Sequence, residues 1–314
     1  MIYIVGAGYM AREYSRVLQS MSEPFIVIGR GDTAVKKLIE ELEIEAVSGG
    51  LTEYLNENPV VPDAAIVCTP VETLASITIE LIEFGVKKIF LEKPGALSIE
   101  DLKKVKRKAE RANALVVIGY NRRFYQSTIA LKERLKEEKL IAANFEMTEW
   151  AHIIEAESCV AEVKQKWVLA NTSHVIDLVA YIAGHFKELS TYSSGSLPWH
   201  DKSSRFVGSG ISDNGVLISY CGYWDGPGRW SAEFVTTQSR YIFRPMERLQ
   251  VQKLGSVAVS FDENIDYSLD EQFKPGLYLQ TSAFLSNNYE DFCTLDEQIL
   301  SFSFYEKMAN YSAN

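Results

Sequence analysis

The sequence has no long apolar run and carries little cysteine. No uninterrupted apolar stretch approaches the ~18–20 residues that a membrane-spanning helix needs. The first apolar run begins at Ile2 and meets glycine at Gly6, so no secretion signal is expected. We therefore expect a cytoplasmic protein with no membrane partner.

The four cysteines are far apart and form no C-x-x-C pair, which excludes a disulfide framework or a zinc site of the usual spacing. They are Cys68, Cys159, Cys221 and Cys293. No H-x-x-x-H pair or carboxylate cluster with metal-ligand spacing is present, so no metal is expected. These positions favour reduced thiols.

Basic residues are also in deficit, with 32 Lys and Arg against 42 Asp and Glu. The net charge of -10 argues against a nucleic-acid partner, which usually requires a clustered basic face. A small polar substrate remains compatible, because the charge in a cleft can oppose the global sign. A length of 314 residues with a hydrophobic fraction of 46% predicts two globular domains.

Short apolar runs alternate with amphipathic helical segments from the start of the chain to about residue 120. The predicted strands are 2–5, 25–28, 64–68, 88–91 and 114–119. Strands of this length alternating with helices are typical of a parallel, doubly wound sheet. We predict an α/β Rossmann domain over residues 1–120.

The pattern changes after Tyr120. Helices are predicted over 127–138 and 174–183, with a long polar stretch between them, and alternating strand-like segments begin near residue 215. This favours an α+β domain over residues 121–314 with a mostly antiparallel sheet. We expect this domain to bind the substrate and, through an exposed sheet face, to form a homo-oligomer, either a dimer or a tetramer.

A G-x-G-x-x-A turn directly follows the first predicted strand and opens a helix. Its residues are Gly6, Gly8, Tyr9, Met10 and Ala11 with the intervening alanine. The first glycine permits the tight turn, the second lets the backbone approach a pyrophosphate, and Ala11 lets the helix pack on the sheet. The helix N-terminus then offers free N–H groups to phosphates. The turn predicts a dinucleotide site.

The end of the second strand usually selects the cofactor, because an acidic residue there binds the ribose 2′-hydroxyl. Here Gly29 and Arg30 stand at that point, with Lys36 and Lys37 nearby. Arg30 binds a 2′-phosphate, stacks on the adenine, or is a solvated surface residue. Asp32 is an alternative ribose ligand, two residues later. The sequence favours NADP over NAD.

Four further segments occur in a recognisable order. Residues 91–94 read L-E-K-P at the end of a predicted strand, and 65–70 form an apolar strand that ends in Thr-Pro. Residues 119–124 read G-Y-N-R-R-F, and 173–178 carry a histidine at the start of a helix. With the turn at 6–11, this set resembles the Gfo/Idh/MocA oxidoreductase family over residues 1 to about 185.

The resemblance implies hydride transfer between a nicotinamide and a carbinol or ketone carbon of a sugar, cyclitol or sugar-nucleotide. It implies that Lys93 lies beside the nicotinamide, where it hydrogen-bonds the reacting oxygen and stabilises its negative charge, and where it can also exchange the proton. His174 is implied as the second catalytic residue. Thr69, Pro70 and Glu92 are implied to contact the cofactor, and Glu92 could instead orient Lys93.

One departure from the family pattern concerns proton transfer. The family commonly has an aspartate three or four residues before the histidine, and Asn171 and Ala170 occupy those positions here. Neither ionises, so Lys93 and His174 must carry the proton, or the chemistry differs. Asp177 lies one helical turn after His174 and either orients it or only solvates the helix.

Three residues at the domain junction complete the set of substrate candidates. Tyr120, Arg122 and Arg123 follow the last Rossmann strand, where open α/β sheets bind ligands. Either arginine meets substrate hydroxyls, a carboxylate or a phosphate, or it forms an interdomain salt bridge. Asn171 could hydrogen-bond a substrate hydroxyl, alongside Lys93 and His174.

Three functions are compatible with these residues. The first is an NAD(P)-dependent oxidoreductase acting on CH–OH groups of a small polar substrate. The second is a net non-redox enzyme that uses bound NAD(P) transiently, which the missing aspartate leaves open. The third is a non-catalytic nucleotide-binding sensor on the same scaffold. The presence of both Lys93 and His174 favours an enzyme.

Overall fold

The computed structural model describes residues 1–311, which form two compact units. The first comprises Met1–Asn121 and Glu271–Ile299, and the second comprises Arg122–Asp270 and residues 300–311. The segment Glu271–Ile299, which the sequence analysis placed in the second domain, therefore returns to the first unit.

The first 121 residues alternate strands and helices as the apolar pattern predicts. The strands are β1 (Ile2–Val5), β2 (Phe25–Ile28), β3 (Ala46–Val47), β4 (Ala64–Val67), β5 (Lys88–Glu92) and β6 (Leu115–Gly119). The helices are α1 (Tyr9–Ser20), α2 (Asp32–Leu42), α3 (Leu51–Asn56), α4 (Leu74–Phe84) and α5 (Ile99–Ala112). Amphipathic α5 begins with a serine cap, since Ser98 Oγ accepts from the Asp101 N–H at 3.1 Å.

The middle of the chain builds the second unit. Its helices are α6 (Gln126–Arg134), α7 (Ala151–Ala156), α8 (Ala161–Gln165) and α9 (Ser173–Ala183), with a π-helical turn at Val168–Thr172. Its strands are β7 (Leu140–Glu146), β8 (Phe186–Ser194), β9 (Arg205–Ser212), β10 (Leu217–Tyr223), β11 (Ser231–Thr236), β12 (Ser239–Phe243), β13 (Leu249–Lys253) and β14 (Ser260–Phe261). The chain then forms α10 (Ser268–Gln272), α11 (Leu277–Leu285), β15 (Cys293–Thr294) and α12 (Leu295–Ala309).

The first sheet has the strand order β15-β6-β5-β4-β1-β2-β3. All its pairs are parallel except β15 with β6. β1, β4 and most of β5 are buried, which is why these strands are continuous apolar runs instead of alternating ones. The predicted doubly wound Rossmann sheet is confirmed. Its parallel strands all deliver their carboxyl ends to one edge, where the candidate site residues follow them.

The returning segment is held to the first unit by an aromatic cluster around Phe90 of β5. Its ring lies 5.3 Å from that of Phe284, 5.7 Å from Phe292 and 5.4 Å from Tyr14. Lys88 adds a hydrogen bond to Asn287 Oδ1 at 2.8 Å. Burial of these rings, not a local sequence signal, draws Glu271–Ile299 back.

The second sheet has the order β14-β13-β12-β11-β7-β10-β9-β8. It is antiparallel apart from the β7–β10 pair, which confirms the predicted α+β domain with a mostly antiparallel sheet. β7 is an interior strand, although the sequence analysis saw only a polar stretch there. Its sequence, LIAANFE, buries only Ala143 and Phe145, so its alternation is weak.

The two faces of this sheet differ in exposure. Helix α9 packs on β7 and β11. On the opposite face, Val207 and Leu217 are 42% and 61% exposed, and Tyr192, paired with Val207, is 72% exposed. Among residues 1–311, no helix combines the length and the hydropathy required to cross a bilayer.

Candidate functional site

The glycine turn after β1 has the backbone geometry that a bound pyrophosphate requires. Gly6 has φ +126°, and a Cβ there would lie 2.7 Å from the carbonyl oxygen of Cys68. Gly8, the N-cap of α1, is exposed, and a Cβ there would meet no atom within 4 Å. No side chain caps the helix, so its first N–H groups are left for a ligand. Ala11 is fully buried against the sheet, while Tyr9 is 57% exposed.

The neighbouring strand β4 adds a polar group at the same edge. Thr69 follows it, and its buried hydroxyl has no hydrogen-bond partner among the described residues. Pro70 is exposed beside it. An unsatisfied hydroxyl next to an uncapped helix N-terminus and an open glycine fits a dinucleotide, whose phosphate and ribose oxygens supply acceptors.

Gly29, at the end of β2, is buried and cannot be replaced without movement. A Cβ there would lie 2.4 Å from Val35 Cγ2 and 2.7 Å from Ala7 Cβ. The acidic residue that often stands after this strand therefore has no room. Arg30, the next residue, is exposed, and Asp32 is the first residue of α2. The carboxyl end of β2, the strand that pairs with β1, is thus followed by an exposed arginine.

Glu92 and Lys93 follow β5 at the same edge. Glu92 is buried and accepts a 2.5 Å hydrogen bond from the hydroxyl of Tyr14. Burial raises the pKa of Glu92, while the Tyr14 bond and the positive charge of Lys93 oppose that shift. Lys93 is half-buried and precedes a cis peptide bond to Pro94. Glu92 therefore anchors the strand end from which Lys93 projects.

Two of the candidate substrate residues have structural partners within their own units. Tyr120 is fully buried, and its hydroxyl accepts from Gln298 Nε2 at 3.1 Å. Arg123 forms a buried bidentate ion pair with Asp177, with N–O distances of 2.9 and 2.7 Å. Asp177 thus ties α9 to the turn at Asn121–Phe124.

Arg122 lies in different surroundings from Arg123. Its guanidinium carbon is 4.7 Å from the ring centroid of Trp230 and 5.8 Å from that of Tyr125. Its buried Nε has no hydrogen-bond partner within residues 1–311. His174, near the start of α9, is 8% exposed and has its ring 6.1 Å from that of Trp230. Trp230 therefore brings Arg122 and His174 into one cluster.

Glu149 is a charged residue of this region that the sequence analysis missed. Its side chain is 1% exposed and accepts from Asn171 Nδ2 at 3.1 Å, Thr172 Oγ1 at 2.7 Å and Arg229 at 3.0 Å. Burial raises its pKa, while these three partners oppose the rise. The only available signal was its position shortly after β7, a strand that the sequence did not reveal.

A cavity of about 430 Å³ opens beside this cluster within the second unit. It is lined by Arg122, Glu146, Gly228, Arg229, Trp230, Arg244, Pro245, Met246 and Glu247. The guanidinium carbon of Arg229 lies 4.7 Å from the centroid of the Trp230 ring, and the same side chain forms the ion pair with Glu149. Its size and its aromatic wall with a few charged groups are typical of a small-molecule site.

The structure thus groups the predicted residues into two sets and leaves two residues outside them. In the first unit, the turn at 6–11, Arg30, Thr69, Pro70, Glu92 and Lys93 follow the carboxyl ends of adjacent parallel strands. In the second unit, Arg122, Asn171 and His174 join through Trp230, Arg229 and Glu149. Tyr120 and Arg123 are committed to other partners.

Comparison with known protein families concerns mainly the first unit. Residues 1–120 match the family model described as "GFO_IDH_MocA: Oxidoreductase family, NAD-binding Rossmann fold". This confirms the family resemblance drawn from the E-K-P segment and the glycine turn. The match ends at Tyr120, where the sequence analysis placed the first domain boundary.

Two curated relatives share part of their length with this chain. The 2,7-anhydro-N-acetylneuraminate hydratase of Mediterraneibacter gnavus is 23% identical over 75% of this chain and 64% of its own length. The scyllo-inositol 2-dehydrogenase (NAD(+)) of Bacillus subtilis is 35% identical over 32% of this chain and 28% of its own. The chain thus covers less than two thirds of either relative.

The solved structures extend the similarity of fold to both units. An oxidoreductase from Agrobacterium radiobacter, crystallised with NAD+, L-tartaric acid and magnesium, superposes with a TM-score of 0.80. The match covers 100% of this chain and 96% of that one, at 15% identity. At this identity the similarity establishes the fold.

Proposed function

Because residues 1–120 match the family model of the Gfo/Idh/MocA oxidoreductases, we propose that the chain transfers a hydride between NAD(P) and a CH–OH carbon of a sugar, cyclitol or sugar-nucleotide. The observation that carries this proposal is the common edge of the first sheet. There an open glycine turn, an unsatisfied Thr69 hydroxyl and Lys93 follow neighbouring parallel strands. Ligands of open α/β sheets bind at such an edge.

The cofactor would be held by the first unit. The N–H groups of α1 and the open face of Gly8 receive the pyrophosphate, and Thr69 and Pro70 border it. When bound, NAD(P)+ supplies the hydride acceptor. The residues of the chain position it and provide for the proton.

Lys93 is the proposed catalytic residue of this unit. Its Nζ hydrogen-bonds the reacting hydroxyl and stabilises the negative charge that grows on the oxygen as hydride leaves the carbon. Glu92, buried and held by Tyr14, fixes the strand end that carries Lys93. Glu92 acts as a positioning residue for Lys93 in this scheme.

His174 is the proposed second proton-transfer residue, and Asn171 binds a substrate hydroxyl. Asn171 donates its amide to Glu149, which leaves the amide oxygen as the group that can accept from substrate. Glu149 is thus a buried carboxylate in contact with Asn171, which occupies one of the two positions at which the family commonly has an aspartate. It orients Asn171 and does not contact the hydroxyl itself.

For the cofactor type we propose NADP over NAD. Gly29 excludes a side chain where an acidic residue would bind the ribose 2′-hydroxyl, and the exposed Arg30 follows it. A guanidinium is suited to bidentate binding of a 2′-phosphate. Side-by-side dissociation constants for NADP and NAD test this preference.

The experiment that tests the main proposal is a turnover assay with NAD+ and NADP+ over a panel of sugars, cyclitols and sugar-nucleotides. Formation of reduced nicotinamide is followed optically, with the wild type beside Lys93→Met. We expect sustained reduction by the wild type and almost none by the variant. Cofactor binding without reduction by any member of the panel would favour a sensor instead.

A net non-redox reaction is the second candidate, and two observations favour it. Asn171 replaces an ionisable residue, and one relative is named a hydratase. Such an enzyme changes its substrate, seen by mass or NMR, without net accumulation of reduced nicotinamide. The same panel, read by both methods, separates the two candidates.

We also propose that the open face of the second sheet pairs with a second copy of the chain. Leu217 and Val207 lie exposed on adjacent strands of that face. Together they form an apolar surface that a second copy of the chain could cover. Leu217→Arg should lower the molar mass measured by light scattering to that of a monomer. An unchanged mass would contradict this interface.

The cytoplasm is the proposed location. Within residues 1–311 no disulfide joins Cys68, Cys159, Cys221 or Cys293, which fits a reducing compartment. Cell fractionation with an antibody to the chain checks this.

A further inference from the structure

The three arginines of the cavity in the second unit differ in how their charges are balanced. Arg229 has Glu149 at 3.0 Å, and Arg244 has Glu146 at 3.4 Å and Ser231 Oγ at 3.0 Å. Arg122 forms no ion pair with a carboxylate within residues 1–311. Within that range, the groups that face its positive charge are the aromatic rings of Trp230 and Tyr125.

The partial burial of the Arg122 charge costs free energy unless an anionic ligand pairs with it. Trp230 is 4% exposed, and Arg122 packs 4.7 Å from its ring, so much of the hydration of the guanidinium is lost. A cation–π contact recovers part of that loss. A partly desolvated cation with an unsatisfied Nε still favours an anionic oxygen as partner.

A second unsatisfied donor lies in the same wall. The indole Nε1 of Trp230 is buried and has no hydrogen-bond partner among the described residues. Arg122 and Trp230 thus offer only donors to the cavity. The carboxylates that line it, Glu146 and Glu247, stand beside Arg244 and in the adjoining turn.

We propose that this cavity binds the anionic group of the substrate, a carboxylate or a phosphate on a sugar, through Arg122 with Trp230 as its platform. The inference rests on the proposed function, whose substrate class it narrows from polar sugars to acidic ones. The volume of about 430 Å³ admits one sugar ring with such a group. His174, whose ring lies 6.1 Å from that of Trp230, then meets the same molecule.

The ligand test compares charged and neutral sugars of the same shape. Binding of D-glucuronate, D-glucose 6-phosphate and D-glucose is measured by calorimetry on the full chain saturated with cofactor. We expect at least one of the charged sugars to bind about 10- to 100-fold more tightly than glucose, the range for a charge-assisted hydrogen bond. The first two arms distinguish a carboxylate from a phosphate.

The variants locate the effect. Arg122→Gln should remove the advantage of the charged sugar over glucose, while Arg122→Lys should retain part of that advantage. Arg205→Gln is the matched control, because Arg205 forms an exposed ion pair with Asp225 and does not line the cavity. It should change neither affinity.

Two results would overturn the proposal, and the first needs only the wild type. If neither charged sugar binds more tightly than glucose, or if Arg122→Gln still prefers the charged sugar as strongly as the wild type does, the cavity does not bind the anionic group. Added salt should weaken only the charged sugar, a check that needs no variant. Tight binding of an acid without any reduction of cofactor contradicts the proposed oxidoreductase and leaves this inference standing. Turnover of neutral sugars with no preference for acids contradicts this inference alone.

Discussion

The dinucleotide turn of the first unit and the arginine cavity of the second are built by different means. The turn consists of backbone: Gly6 and Gly29 are glycines because a Cβ would collide with its neighbours, and Gly8 leaves a face open. The cavity consists of side chains from distant parts of the chain, above all Arg122 and Trp230, with Glu149 behind Arg229. A backbone site needs only a few adjacent residues, whereas this side-chain site needs residues from four separate segments of the second unit.

The difference predicts how each site responds to mutation. A backbone site should lose binding when a side chain is added, and a side-chain site should lose binding or orientation when one is changed. A mutation in the dinucleotide turn should therefore lower the affinity for the cofactor, and a mutation in the cavity should lower the affinity for the substrate.

The largest effect should come from Lys93→Met, which keeps the length of the side chain and removes the charge. A positioned proton-transfer group contributes about 10²–10⁴-fold to rate, so kcat should fall in that range while cofactor affinity changes little. His174→Ala should fall in the same range. Lys104→Met, at an exposed ion pair on α5, is the control. Near-normal turnover by Lys93→Met would refute the proposed mechanism.

Gly8→Asp should weaken cofactor binding by about 100-fold, because it places a carboxylate where the pyrophosphate is expected. Gly8→Ala is the matched control, since a Cβ at Gly8 meets no atom within 4 Å. Titration of cofactor by fluorescence measures both. Equal affinities of the two variants would show that the phosphates lie elsewhere.

Asn171→Asp, which restores the residue type common in the family, should be harmful here. It replaces the amide that donates to Glu149 Oε1 at 3.1 Å by a second carboxylate. We expect a loss of about 1–3 kcal/mol in unfolding free energy. The double variant with Glu149→Gln should recover most of it, because the new amide can donate to the carboxylate introduced at position 171. Urea unfolding of the two single variants and the double variant gives the coupling energy. Additive losses would mean that the two side chains do not interact.

Arg30→Ala should weaken NADP about 10-fold and NAD hardly at all, because only NADP carries the 2′-phosphate. Arg107→Ala, on α5 and away from the glycine turn, is the control. A wild type that prefers NAD, or equal losses for both cofactors, would leave Arg30 as a surface residue.

The smallest effect concerns pH. Burial raises the pKa of Glu149 above its usual 4.5, so the folded protein holds this proton more tightly than the unfolded chain does. Its contribution to stability is therefore present below pH 4.5 and declines as pH rises through the folded-state pKa. Glu149→Gln should flatten this decline, and Glu92, shifted in the same direction, should leave a remainder. The measurement is the free energy of unfolding of the wild type and of Glu149→Gln at several pH values above 4.5. The same slope against pH for both proteins would contradict this expectation.

The first unit was largely predictable because each signal there is local. The turn at Gly6, the strand pattern and the E-K-P segment each occupy a few adjacent residues; the structure confirms the strand pattern, and the family model matches the range that contains all three. The return of Glu271–Ile299 was not predictable, since it depends on rings such as Phe284 meeting Phe90 across a long stretch of chain. Glu149 was missed for a similar reason, because its partners come from the π-helical turn before α9 and from the residues just before β11. Buried pairs such as Arg123–Asp177 leave no periodic trace in sequence.

The chain passes from one unit to the other three times, at Asn121, at Asp270 and at Ile299. The edge strand of the first sheet, β15, is therefore synthesised long after the rest of that sheet. During translation the side of Phe90 that Phe284 and Phe292 cover stays exposed until residues 271–299 have left the ribosome. A fragment that stops at residue 120 would contain every residue that matches the family model, but it would lack β15 and the Phe284 ring that packs on Phe90.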